Sequence, residues 1–237
     1  MQIIDHGGAR IAALHDKKTG SWQYVVSDPV SRKCAIIDPV WDFDEKAAAT
    51  STRNADAILD YVKAEGLTVE WLLDTHPHAD HFSAAPFLNE KLGAPTAIGE
   101  KVIGVQKLWK DIYGLDDDFP ADGRQWDRLF KAGDTFAVGD LPARVMFSPG
   151  HTMASITYVI GGNAFVHHPA HRACDRHIDV ELARQARRVN LDAALARDVH
   201  HVERQHHRPA DALELQRERS EERRVGKECR SRWSPYH

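Results

Sequence analysis

LLDTHPHADHFSAAPFL, Leu72 to Leu88, sets three histidines and two aspartates between two apolar runs. In extended chain, side chains at i and i+2 point to the same side, so His76 and His78 can converge on one metal ion, with Pro77 stiffening the link. Asp80 and His81 follow at the mouth of an expected helix, aimed at the same cavity. A metal needs three or more ligands, and imidazole with carboxylate suits zinc or iron. His151, in the Pro149-Gly150 turn of SPGHT, is the natural further ligand. A polar surface loop is the plain alternative. The density of ligand types in Thr75–His81, joined to the downstream Gly-His turn, outweighs it.

Outward from this motif the chain reads as strands and helices in alternation. SWQYVVSD places Trp22, Tyr24 and Val26 toward one face, and KCAIIDP is an apolar run stopped by Asp38-Pro39; both predict strands. Ala55, Ile58, Leu59 and Val62 have helical spacing, with Ser51 or Thr52 as N-cap and Gly66 as stop. TVEWLLD predicts the strand that delivers the motif. A helix is expected from about His81 (Phe82, Ala85, Leu88, Leu92) to Gly93, and another through Val102, Val105, Leu108, Trp109 and Ile112. ARVMF predicts a strand running into the SPGHT turn, and SITYVIGGNAFV a hairpin over Gly161-Gly162.

With 42% hydrophobic residues, 28% charged residues and a net charge of -4, one globular domain with a sizeable core is the expectation, without a nucleic-acid footprint. The start, MQIIDHGGAR, lacks a basic stretch followed by an apolar one, and no run approaches the roughly 18 apolar residues of a membrane span. Cys34, Cys174 and Cys229 fit neither a disulfide framework nor a Cys-x-x-Cys metal site, so a reducing, cytoplasmic setting is expected.

THPHADH (75–81) followed by SPGHT (148–152) resembles the metallo-β-lactamase superfamily, whose pattern is Thr-His-x-His-x-Asp-His and then Pro-Gly-His-Thr. The His-Ala-Asp-His version, the IIDPV strand and the hairpin after SPGHT are most similar to persulfide dioxygenases and to the bacterial β-lactamase-hydrolase-like proteins of sulfide-responsive operons. The resemblance covers residues 1 to about 166 and implies an α/β fold, the αββα sandwich, with metal between the loops at one edge of two sheets.

That resemblance implies two competing chemistries. In the superfamily's hydrolases, His76, His78 and His151 would hold one Zn(II), and Asp80 and His81 a second, with a bridging hydroxide attacking an ester, thioester or lactam carbonyl. In the persulfide dioxygenases one Fe(II) is held by two histidines, here His76 and His151, and a later aspartate. His78, Asp80 and His81 would then orient ligands and water, and the products would be sulfite and a thiol, usually glutathione. The dioxygenase is the favoured reading, with a small-molecule thiol or persulfide as substrate and Asp80 as the candidate catalytic residue. A non-catalytic metal-binding or sulfide-responsive protein is the third reading. A homodimer is left open.

The family's later aspartate is not where it is expected: AFVHHPAHRACD puts His168 in its place. Residues 1–166 hold ten lysines and six arginines, the remainder one lysine and fourteen arginines. No glycine separates Gly162 from Gly226, and no Phe, Trp or Tyr separates Phe165 from Trp233. Leu191, Leu195, Val199 and Val202 have the spacing of an amphipathic helix. A shifted reading frame of GC-rich DNA, which yields Ala, Arg and His in this manner, is the preferred account of residues 167–218. RSEERRVGKECRSRWSPYH (219–237) resembles a translated short-read sequencing adapter, AGA TCG GAA GAG CGT giving Arg-Ser-Glu-Glu-Arg. The expected organisation is an incomplete metallo-β-lactamase-like domain (1–166), an out-of-frame segment (167–218) and an adapter-derived tail (219–237). Because the second half of the sandwich is lost on this reading, the chain as written is expected to be inactive.

Weaker signals carry less. The acidic run Asp116–Asp118 with Asp122-Gly123 lacks the order of a calcium loop and reads as solvated. Trp109 and Tyr113 are expected in the core, with a cleft wall or a second subunit as other roles. His6 and His15 are assigned no role, and Cys34 is read as a small buried hydrophobe.

Overall fold

The computed structural model describes residues 1–78, 81–149 and 152–166. The chain begins with a hairpin that periodicity does not announce, β1 (Gln2–His6) and β2 (Ala9–His15), and continues through β3 (Trp22–Ser27) and β4 (Lys33–Ile37). β5 (Val40–Asp44) and β6 (Ala49–Ser51) precede α1 (Arg53–Ala64) and β7 (Thr68–Leu73). After the histidine motif come β8 (Phe82–Ser83), α2 (Ala85–Leu92), β9 (Thr96–Gly99), α3 (Val102–Tyr113) and β10 (Arg128–Phe130). β11 (Thr135–Val138), β12 (Leu141–Phe147), β13 (Ile156–Ile160) and β14 (Asn163–Phe165) complete the described part.

Strands β1-β2-β3-β4-β7-β9-β10 form one sheet in that order, antiparallel as far as β4 and parallel from there to β10. β11 to β14 form a second, antiparallel sheet, and β6-β5-β8 a small third one. The apolar pairs in the first sheet explain the layering. Val25, Ile36 and Leu72 pack against Ile58 and Val62 of α1 and Leu88 of α2. Their chain neighbours Val26, Ile37 and Leu73 pack against Val145, Ile156, Tyr158 and Ile160 of the second sheet. Successive strand residues face opposite sides, so a run without alternation is what a sheet buried on both faces requires. Helix, sheet and sheet are thus three layers of the expected αββα sandwich. The expectations placed on residues 167–218 and 219–237, His168 among them, lie outside the described residues.

The two sheets are also tied at their edge. Asp28, beyond β3, accepts hydrogen bonds from Val30 N–H (2.9 Å), the Ser31 hydroxyl (2.5 Å) and Asp140 N–H (2.9 Å), the last in the β11–β12 turn. The Ser31 hydroxyl and the two N–H groups hold the carboxyl down at about 2. Gly139 completes the staple at φ +58°, and a Cβ there would fall 2.0 Å from Ser31 Oγ. Asp28→Ala is therefore expected to lose about 2 kcal/mol of stability, seen as a lower urea midpoint at unchanged slope. Because the folded pKa is depressed, this contribution is present above the ordinary carboxylate pKa and disappears as pH falls through about 2.

Several expectations are corrected. The helix after the motif starts at Ala85, not near His81, because Phe82 and Ser83 pair antiparallel with Trp41 and Val40 and the Ser83 hydroxyl takes the Ala85 N–H at 3.1 Å. Pro86 then sits in the first turn, where its missing donor costs nothing. Trp109 and Tyr113 are not core residues. They stack on each other 5.2 Å apart at 42% and 67% exposure, since the buried residues of α3 are Val102 and Gln106. The hairpin over Gly161 and Gly162 is present, both glycines at positive φ, as is the stop of α1 before Gly66. Among the described residues no helix is long and apolar enough to cross a membrane.

Candidate metal centre

The site forms where parallel strands end together. β4 and β7 pair with Ile37 opposite Leu73, so the residues after each emerge at one edge, outside the carboxyl ends where ligands bind in open parallel sheets. Asp38 N–H donates to Leu73 O at 2.9 Å. Asp38 has φ +51°, a left-handed conformation that aspartate tolerates better than most residues.

In that position the Asp38 carboxylate accepts Thr75 N–H and the Thr75 hydroxyl, each at 2.7 Å. The tautomer of His76 follows. Thr75 has one hydroxyl proton, already committed to Asp38, so its oxygen accepts from His76 Nδ1 at 2.9 Å. The Nε2 lone pair of His76 is then the one offered for coordination. Thr75→Val should lower zinc affinity about 10-fold while leaving His76 present, as competition with a chromogenic chelator would measure.

His78 is pinned from behind. Its Nε2 lies 3.2 Å from Asp38 Oδ1 and 3.7 Å from Asp74 Oδ1, with all three side chains at most 9% exposed. The pairing is by charge rather than by an aligned hydrogen bond. Burial opposes a charge on the imidazole, but Asp38 and Asp74 outweigh it and lift its pKa to about 10. Burial likewise opposes ionisation of Asp38, and the His78 charge with the Thr75 N–H more than offsets it, holding the carboxyl below its usual range. A metal at His78 would have to displace a ring proton, since only the neutral imidazole coordinates.

Ligand atoms of Asp38, His76 and His78 all lie within 4.8 Å of one another. Two imidazoles and a carboxylate are a donor set suited to zinc or ferrous iron, so the residues present fit a metal ion. The rings of His76 and His78 are 4.2 Å apart, the convergence expected of positions i and i+2. His81 stacks on His78 at 4.1 Å, and its Nδ1 meets Phe82 O at 3.1 Å. Asp80 and His151 lie outside the described residues. Asp38 and Asp74 are the members that sequence reasoning missed. A pocket of about 330 Å³ adjoins the cluster, lined by His78 and His81, by Trp41, Phe43 and Phe82, and by Asp16, Lys18, Asp42 and Glu45.

The strand after SPGHT starts against the motif, since Ile156 N–H donates to Thr75 O at 2.9 Å and the Tyr158 hydroxyl to Asp74 O at 3.1 Å. A beta-lactamase hydrolase-like protein of Agrobacterium fabrum (strain C58) is 68% identical over 157 residues, which is 66% of this chain and 36% of that protein. The mitochondrial persulfide dioxygenase ETHE1 of Bos taurus is 26% identical over 151 residues, 64% of this chain and 48% of its own. The crystal structure of ETHE1 from Myxococcus xanthus matches with a TM-score of 0.51 and 26% identity, covering 66% of this chain and 56% of that one. This chain thus spans about a third to a half of the curated relatives it matches. Residues 17–184 match the metallo-beta-lactamase superfamily model, and with the layered sheets and the histidine-bearing strand edge in place, the chain belongs to the metallo-beta-lactamase superfamily.

Proposed function

We propose that this domain is the metal-binding part of a persulfide dioxygenase-like enzyme that converts glutathione persulfide, dioxygen and water to glutathione, sulfite and two protons. The observation that carries it is the Asp38, His76 and His78 cluster beside a pocket large enough for part of a small thiol. Likeness to the Myxococcus xanthus ETHE1 structure favours the dioxygenase over other members of the superfamily. A bound ferrous ion would supply the redox chemistry between dioxygen and sulfur. His76 and His151 are the proposed iron ligands, and His78, Asp80 and His81 the groups that orient ligands and water. Trp41, Phe43 and Phe82 would give the substrate apolar contact in a pocket that Asp16, Lys18, Asp42 and Glu45 also line. A dinuclear zinc hydrolase is the second reading, favoured by His81 stacked on His78 and by the hydrolase-like name of the Agrobacterium relative.

The test compares the chain as written with a version whose residues from 167 onward are restored from the genomic reading frame. The restored protein is expected to purify with iron, to consume oxygen with glutathione persulfide and to leave thioesters intact, and the chain as written to bind metal weakly without turnover. Zinc content with thioester hydrolysis would select the hydrolase, and neither activity in the restored protein a binding protein. His81→Ala separates the two enzymes: a mononuclear iron site keeps most of its metal, whereas a two-zinc site loses about half.

A further inference from the structure

We propose that Asp74 is a positioning residue for the metal centre, acting through His78, and that Trp126 holds it in place. The inference rests on the metal centre proposed above. Asp74 is 3% exposed, and separate elements engage its polar atoms. Its N–H donates to Ala97 O in β9 at 2.9 Å, and its carbonyl accepts the Tyr158 hydroxyl from the second sheet at 3.1 Å. Oδ1 accepts the Ser83 hydroxyl at 2.9 Å, and Oδ2 accepts the Trp126 indole N–H at 3.1 Å, from the stretch between α3 and β10.

The indole decides which oxygen is which. By taking Oδ2, Trp126 leaves Oδ1 as the oxygen turned to His78 Nε2, 3.7 Å away. A carboxylate fixed in this manner stands behind the imidazole at a set distance and angle. It sets the orientation of the ring beside His76, 4.2 Å away, and so the placing of the centre, as the groups behind metal-site histidines do. Asp38 does not make Asp74 redundant, because Asp38 is already shared among Thr75 N–H, the Thr75 hydroxyl and His78.

Cobalt(II) titration of the protein restored from residue 167 onward, followed by its visible absorption, tests the assignment. Asp74→Asn keeps the size of the side chain, and the Ser83 hydroxyl can donate or accept, so its amide nitrogen can take the place of Oδ1. The expected result is a cobalt dissociation constant raised about 10-fold or more, with displaced absorption bands. Trp126→Phe leaves the Asp74 side chain and removes its anchor, so the bands should move in the same direction with a smaller loss of affinity. Unchanged affinity and bands in Asp74→Asn would overturn the proposal. Should that variant not fold, Trp126→Phe decides by the same criterion. Cobalt uptake by the parent that is lost in His76→Ala tests the underlying metal centre separately; a parent that takes up no cobalt overturns both.

Discussion

In the protein restored from residue 167 onward, His76→Ala is expected to cost the metal, with zinc or iron affinity falling by more than about 100-fold. The bound rests on scale: losing a hydrogen-bonded neighbour of a ligand already costs 10- to 100-fold, and His76 is proposed as a ligand in both chemistries. The apoprotein should lose only the packing of one buried ring. His76 is 4% exposed, so its removal leaves a cavity, but the Thr75 hydroxyl keeps its bond to Asp38. His78→Ala should differ, since it takes the cation from between two buried carboxylates and so loses stability as well as metal. Metal content by elemental analysis and urea unfolding of the metal-free proteins separate the two patterns. Full metal occupancy in His76→Ala would show that the centre is built on other residues.

What the sequence makes legible is what local patterning encodes. Val25-Val26, Ile36-Ile37 and Leu72-Leu73 read as strands because each residue of a pair has an apolar face to meet. Cys34 reads as a buried hydrophobe, and at 0% exposure burial pushes its thiol up to about 12. His76 and His78 are legible from their spacing alone. Asp38 is not. Along the chain it is a strand stop before Pro39, and it joins the histidines only through the parallel register of β4 with β7, a pairing with no local signature. Asp74 looks like the last residue of a strand until Ser83 and Trp126 close on it from elsewhere. β1 escapes notice for a related reason: all five of its residues are exposed, so no alternation marks it, and it exists because β2 offers an edge to pair with. The exposed rings of α3 show the converse failure, helical spacing without a partner surface among the described residues.

Asp38→Ala is expected to have the largest effect on the fold, about 3 to 5 kcal/mol, because it breaks a buried charge pair by removing one side. His78 would face Asp74 alone, and Thr75 N–H would lose its acceptor in a place water does not reach. Metal affinity should fall too, whether or not Asp38 touches the ion. Without the carboxylate, the Thr75 hydroxyl is released to turn and donate to His76 Nδ1, which transfers the ring proton to Nε2 and blocks the nitrogen a metal needs. Asp38→Asn should fall between, since the amide oxygen still accepts one Thr75 donor and asparagine tolerates the left-handed backbone at φ +51°. Urea unfolding measures the first effect, and nitrogen chemical shifts of the His76 ring in the metal-free protein report the second, as a change from the Nδ1–H to the Nε2–H tautomer. A parent-like midpoint together with an unchanged tautomer in Asp38→Ala would mean that the relay from Asp38 through Thr75 to His76 does not govern the site.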